Sequence, residues 1–256
     1  MIDSHCHLNF SAFNSDRKQV LQTCTERGVS SLVIPGTQAN SWDNLISLCK
    51  RSTRLNFALG LHPYFLDDYC ESHLQQLDEL LTLQKGHVVA VGEIGLDFSL
   101  SIDSDLQEQV FAAQICLAEQ HDLPIIVHHR RSHNALIRIL KEKCFGNGGI
   151  IHAFSGSFQE AQTYIELGFK LGVGGIITYP RAKKTRAVIA KVPLTSLVLE
   201  TDAPDMPINN KQGQRNSPIY LPIILEALQA LRCESAEVVK QACWQNTLDI
   251  LANIKR

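Results

Sequence analysis

Short apolar runs alternate with longer amphipathic stretches along the whole chain. The apolar runs at 1–5, 31–35, 56–60, 88–92, 124–128, 149–152, 169–173 and 196–200 predict eight strands. Two of them, Val88-Val89-Ala90-Val91 and Ile125-Ile126-Val127, are continuously apolar, as in strands buried on both faces of a parallel sheet. Helical spacing appears near 16–28, 40–53, 72–85, 104–121, 132–143, 157–167 and 181–191, with two closing helices near 219–232 and 235–252. Ser104-Asp105-Leu106-Gln107 reads as a capping box. Gly28, Gly86 and Gly168 fall where helices should stop, and Pro124 opens a strand. No linker or change of composition interrupts the pattern. Eight strand–helix units predict an α/β fold, a (β/α)8 TIM barrel in a single domain over 1–256. An open doubly wound sheet fits less well. It usually carries a Gly-rich phosphate loop after its first strand, and here His5-Cys6-His7 stands there.

On this map the metal-ligand residue types collect at one end of the strands. His5 and His7 end the first strand, His62 the third, Glu93 the fourth, His128 the fifth, His152 the sixth and Asp202 the eighth. Five of the ten histidines lie at such ends; His73, His87, His121, His129 and His133 fall in helix or loop segments. In a barrel the C-terminal strand ends meet at one mouth, where catalytic residues are built. His-x-His alone is a weak signal, but strand alternation puts both imidazoles on one face with Asp3, and Cys6 on the other. Four imidazoles and two carboxylates, with His62 as an extra, exceed one tetrahedral site with an open position. They suit two ions sharing a carboxylate. Nitrogen and oxygen donors without thiolate fit Zn, Mn, Co or Ni, and leave room for Mg.

Composition narrows the partners. A net charge of −2 excludes holding nucleic acid by bulk charge, so any such binding must be local. Arg181, Lys183, Lys184 and Arg186 form one basic run after the seventh strand, near the expected mouth. Phe98, Phe154 and Tyr179 are the few aromatics there that could stack a base. The eight cysteines contain no C-x-x-C pair and read as buried free thiols of a reducing compartment. With no signal peptide or membrane-spanning apolar run, the expectation is a cytoplasmic monomer with no membrane partner.

The motifs resemble the TatD-type metal-dependent deoxyribonuclease family. The segments are Ile2-Asp3-Ser4-His5-Cys6-His7-Leu8, Gly60-Leu61-His62-Pro63, Gly92-Glu93-Ile94-Gly95-Leu96-Asp97, Val127-His128-His129-Arg130, His152-Ala153-Phe154-Ser155-Gly156 and Glu200-Thr201-Asp202-Ala203-Pro204. They run in the family's order across nearly the whole chain. The stretch from Tyr179 to Arg186 looks like the YjjV branch. Two departures are His129, where Ser or Cys is commoner, and Tyr64, where a small or polar residue is commoner.

The resemblance implies a barrel with two divalent metal ions and phosphodiester hydrolysis, often 3′–5′ exonuclease action on DNA. His5, His7, Glu93 and Asp202 would hold one ion; Glu93, His128 and His152 would hold the other, with Glu93 bridging. Asp202 would also orient the attacking water or take its proton. Glu200, two residues earlier on the same face, suits the support of a ligand imidazole from behind. His62, Arg130 and Asp97 are the substrate-side candidates. Pro63 holds His62 extended, Arg130 can take a phosphate bidentately, and Asp97 can hold a loop or His62. The competing reading is an amidohydrolase-like enzyme cleaving a lactone, cyclic amide or phosphoester. That group commonly bridges its metals with a modified lysine after the fourth strand, where this chain has Glu93.

Overall fold

Each predicted apolar run forms a strand, and consecutive strands pair in parallel. The computed structural model describes residues 1–251 and 253–254. Its strands are β1 (Ile2–Asp3), β2 (Ser31–Pro35), β3 (Leu55–Leu59), β4 (Val88–Asp97), β5 (Ile125–Arg130), β6 (Gly149–Ile151), β7 (Phe169–Val173) and β8 (Leu197–Leu199). They form one sheet in sequence order, the arrangement of a (β/α)8 barrel. The seam between first and last strands is closed by backbone bonds beyond the short β1. Ser4 N–H donates to Leu199 C=O at 2.9 Å, and Asp202 N–H donates to His5 C=O at 2.9 Å.

The helices are α1 (Arg17–Glu26), α2 (Trp42–Lys50), α3 (Glu71–Leu83), α4 (Ser104–Gln120), α5 (His133–Glu142), α6 (Phe158–Glu166), α7 (Lys183–Lys191), α8 (Leu221–Gln229) and α9 (Ala236–Ile250). The predicted final helical residue, 252, lies outside the described residues. Most apolar burial lies between helices and sheet. A smaller cluster fills the barrel: Val33, Ala58, Val89, Ala90, Ile126, Ile150 and Val198, with Leu251 packed among them. Helices α1, α3 and α6 stop before Gly28, Gly86 and Gly168, whose φ of +75°, +82° and +86° suits a left-handed helix end.

Several local expectations are corrected. Strand β4 runs five residues past 92, because Ile94–Asp97 resume pairing with β5 after a shift of register. Gly95 allows it: a Cβ there would lie 2.1 Å from the His128 carbonyl oxygen. Strand β5 likewise runs on to Arg130, so His129 is a strand residue. Ser104 makes no capping box. Asp103 is the N-cap, accepting from Asp105 N–H at 2.7 Å, and the Gln107 side chain turns inward. A capping box does form at Ser157 and Glu160 before α6. Of the cysteines, Cys6, Cys24, Cys49 and Cys243 are buried, but Cys70, Cys144 and Cys233 are exposed and Cys116 is half-buried.

Candidate metal centre

The strand ends bring together His5, His7, His62, Glu93, His128, His152 and Asp202. Glu93 is central and 2% exposed. Its Oε2 lies 3.1 Å from His5 Nε2 and 3.4 Å from His7 Nε2. Its Oε1 lies 3.2 Å from His128 Nδ1, 3.3 Å from His62 Nε2 and 4.0 Å from His152 Nε2. Asp202 closes the ring. Oδ1 is 3.6 Å from His7 Nε2 and 3.7 Å from His5 Nε2, and Oδ2 is 3.7 Å from His152 Nε2. Asp202 points there from a left-handed backbone with φ +56°, an uncommon conformation for a residue with a side chain.

A cation fits this arrangement better than protons do. The Nε2 atoms of His5 and His7 are 3.2 Å apart and share one carboxylate oxygen. A proton on one leaves the other's lone pair aimed at the same space, whereas a divalent ion accepts from both and from the carboxylate. Among the described residues, His5–His7–Glu93, His5–His152–Glu200 and His62–Glu93–His128 each offer ligand atoms within 4.8 Å of one another.

Supporting contacts sort the imidazoles. The Glu200 carboxylate lies 3.0 Å from His152 Nδ1, an ion contact off the line of a good hydrogen bond, while its Oε1 accepts the Ala153 N–H at 2.6 Å. That leaves His152 Nε2 for the cluster. Gly172 makes room: a Cβ there would sit 2.2 Å from Glu200 Oε2. His62 differs. Its Nδ1 accepts the Tyr64 N–H at 3.0 Å, so the neutral ring carries its proton on Nε2, facing Glu93. It is arranged as a donor rather than a ligand. Pro63 leaves His62 extended, with φ −76° and ψ 140°. Asp97 faces His128, at 3.5 Å from Nε2, and not His62; its other oxygen accepts from the Ser99 N–H and hydroxyl at 2.9 and 2.6 Å. Asp3 lies beneath the ring, accepting from the Thr201 hydroxyl at 2.6 Å and the Thr201 N–H at 3.0 Å. Cys6 is buried in the apolar layer outside the sheet, as strand alternation predicts.

The charges are strongly coupled. Burial opposes ionisation of Glu93, but the imidazoles of His5, His62 and His128 outweigh it and hold the carboxyl well below its usual range. Burial raises Asp202 to about 6 against the pull of His152 and His7. Burial disfavours charge on His152 too, yet Glu200 and Asp202 raise it to about 10. Burial and the neighbouring His152 lower His5 to about 4, and burial lowers His62 to about 4.

The ring floors a cavity of about 710 Å³. Arg130 is exposed on its wall, and Tyr64, 60% exposed, stands at the rim beside Phe65. His129 also lines it, its ring centroid 4.2 Å from that of His133. The predicted base-stacking residues are elsewhere: Phe154 is buried, Tyr179 is tied through its hydroxyl to Pro207 C=O, and Phe98 packs on the core. The basic run does not line the cavity either. Arg186 donates to the Ile177 carbonyl, and Arg181 sits over the Tyr179 ring at 5.2 Å.

Two positioning residues escaped the sequence reading. Gln107 and Gln114, seven apart on α4, each grip the backbone of a strand-end residue. Gln107 accepts from Asp97 N–H at 2.8 Å and donates to Asp97 C=O at 3.2 Å. Gln114 accepts from Leu61 N–H at 2.7 Å and donates to Leu61 C=O at 3.1 Å. Their seven-residue spacing, two turns on one helix face, was the available signal.

The TatD-related DNase model matches residues 2–252. The chain belongs to that family. It is 44% identical over 247 residues to the uncharacterized metal-dependent hydrolase YjjV of Escherichia coli K12, covering 96% of this chain and 95% of that one. The crystal structure of that protein superposes with a TM-score of 0.94 over 98% of this chain and 97% of the other. A Rahnella protein named 3′-5′ ssDNA/RNA exonuclease TatD is 31% identical, with 98% of both chains covered. Among the described residues, no helix is long and apolar enough to cross a membrane.

Proposed function

We propose that this family member, a metal-dependent hydrolase, cleaves phosphodiester bonds in single-stranded nucleic acid, DNA in the first instance, as a 3′–5′ exonuclease with two divalent ions. The observation that carries the reading is Glu93. Its two oxygens face two different sets of imidazoles, His5 with His7 on one side and His128 with, farther off, His152 on the other, and His62 presents its N–H to the second oxygen. A carboxylate so placed suits a bridge. His5, His7 and Asp202 would complete one site, and His128 and His152 the other. Divalent ions held there supply Lewis acidity, drawing charge from phosphate oxygens and lowering the pKa of water.

The chain's own residues supply the rest. Asp202 lines the cavity above the ring, where its carboxylate would orient the attacking water and take its proton. Glu200 fixes the His152 ring so that Nε2 faces inward. His62 would share its Nε2–H between Glu93 Oε1, which it faces at 3.3 Å, and a phosphate oxygen seated beside it, and Arg130 offers a forked pair of donors from the wall. Because the centre is recessed, the backbone of a single strand reaches it more readily than that of a paired duplex. The Rahnella relative's name agrees with such a substrate.

The test is metal analysis with hydrolysis assays on single-stranded DNA and bis(p-nitrophenyl) phosphate, for the wild type and Glu93→Ala. Two ions per wild-type chain and cleavage of both esters are expected, with both lost on substitution. An active Glu93→Ala enzyme, or cleavage of lactones but no phosphodiester, overturns the reading.

A further inference from the structure

A second cavity, of about 420 Å³, opens beside the metal pocket, and Phe10 and Thr37 line both. One wall is a face of α2. Asn44, Ser47 and Arg51 are three and four residues apart, so they stack along one stripe, and all three are exposed. The opposite wall is the segment from Asn9 to Arg17, directly after His7. Arg17 secures that wall: its guanidinium donates to Leu8 C=O at 2.8 Å and to Asn14 Oδ1 at 2.8 Å. The Arg51 side chain makes no hydrogen bond or ion pair among the described residues. Among those residues no carboxylate lines the groove, although the chain as a whole is net acidic. Two guanidinium groups with amides and hydroxyls between them make a surface for a polyanion whose charges are spaced along a chain.

We propose that this groove is a nucleotide subsite, holding the strand beyond the scissile bond. One backbone phosphate lies at Arg51, with Asn44 and Ser47 donating beside it, and the chain passes Phe10 and Thr37 into the metal pocket. The substrate class rests on the phosphodiesterase reading of that pocket; the groove's location and charge do not. Arg51 contributes one charge-assisted contact to a backbone phosphate, and contacts of that kind give single-strand binding its salt dependence.

The experiment is fluorescence anisotropy with fluorescein-labelled oligo(dT) of two and of six nucleotides, in EDTA so that nothing is cleaved. The proteins are the wild type, Arg51→Ala, Arg51→Glu and, as a charge control on the far-side helix α5, Lys141→Glu. Wild type is expected to bind the hexanucleotide tighter than the dinucleotide. Arg51→Glu weakens hexanucleotide binding about tenfold and removes the length preference, and Arg51→Ala lowers the salt slope by about 0.7, the loss of one single-strand phosphate contact. Lys141→Glu keeps both. Unchanged melting temperatures exclude misfolding. Equal affinity for both lengths in the wild type, or equal effects of Arg51→Glu and Lys141→Glu, overturns the groove whether or not bis(p-nitrophenyl) phosphate is cleaved. A length preference that depends on Arg51, in a protein that cleaves no phosphodiester with Mn²⁺ present, upholds the groove and overturns the catalytic reading instead.

Discussion

Two adjacent layers inside the barrel have opposite chemistry although they lie two residues apart on the same strands. Ile126, Ile150 and Val198 belong to the apolar cluster, while His128, His152 and Glu200, each two positions on, belong to the polar layer, the two histidines in the ring and Glu200 behind it. Strand alternation puts each pair on the same face. Ile150, His152 and Glu200 are all buried, and burial means different things to them. Withdrawing an Ile or Val side chain from water is worth roughly 1.5–3 kcal/mol. Withdrawing an ionised carboxylate costs several kcal/mol unless partners repay it. Glu93 and Glu200 are buried among imidazoles, so the ring is held together by mutual compensation and the lower layer by area. The lower layer should therefore respond to changes of volume, and the ring to loss of any one partner.

The largest expected effect comes from the ring. Glu93→Ala should lower kcat/KM for a phosphodiester by roughly 10³-fold or more, the scale of losing a preorganised electrostatic contact. Metal analysis should show loss of bound ion, since two sets of imidazoles lose their shared carboxylate. The matching substitution below is Ile150→Ala. It should cost roughly 2–5 kcal/mol in chemical denaturation and leave kcat of the folded enzyme within a few-fold. If Ile150→Ala abolished turnover while the protein stayed folded, the division between a holding layer and a working layer would be wrong.

That division was largely legible in the sequence, for a physical reason. Apolar runs with a polar residue at their C-terminal ends are what a barrel needs at its core and mouth, so both fold and ring could be read from His5, Glu93, His128, His152 and Asp202. The support was harder to read. Gly92 and Gly95 look like strand terminators, yet they let β4 continue against β5. Gln107 looked like the last residue of a capping box, because a helix-start pattern does not reveal that an amide will turn inward to Asp97. The orientation of His62 depends on a bond to the Tyr64 backbone, which no residue pattern encodes. The groove beside α2 was invisible because Arg17 and Arg51 are distant in sequence and meet only through the fold.

Weaker effects sharpen the comparison by acting on the ring from outside. Glu200→Gln keeps the shape but loses the charge behind His152, and should weaken metal binding about 10–100-fold by titration calorimetry. Its effect on stability should be smaller than that of Ile150→Ala, since little volume changes. The pH dependence follows from Asp202 and His152, both raised, to about 6 and about 10. A raised value means a proton is held where the proposed reading seats a cation, so metal entry should release protons. Apparent metal affinity should fall as pH drops through about 6, by up to about tenfold per unit for each proton displaced, and rise again above it. Calorimetry in two buffers of different ionisation heat would register the release; uptake of protons would contradict the sign.

The smallest effect on turnover should come from Gln114, which belongs to neither layer. Its amide satisfies both backbone groups of Leu61, the residue before His62. Gln114→Ala leaves a buried N–H and C=O unpaired, which costs about 1–3 kcal/mol for an unsatisfied group. The loss should appear in denaturant midpoints, as it does for Ile150→Ala, because a scaffold contact is removed. Unlike Ile150→Ala, however, it frees the backbone that aims His62. KM for a phosphodiester should rise a few-fold with bound metal unchanged, because in the proposed reading His62 would donate to substrate while the ligands stay in place. A Gln114→Ala enzyme that lost metal as Glu93→Ala does would mean that His62 is a ligand after all and that the ring extends to β3. Unchanged KM with reduced stability would confine Gln114 to the scaffold.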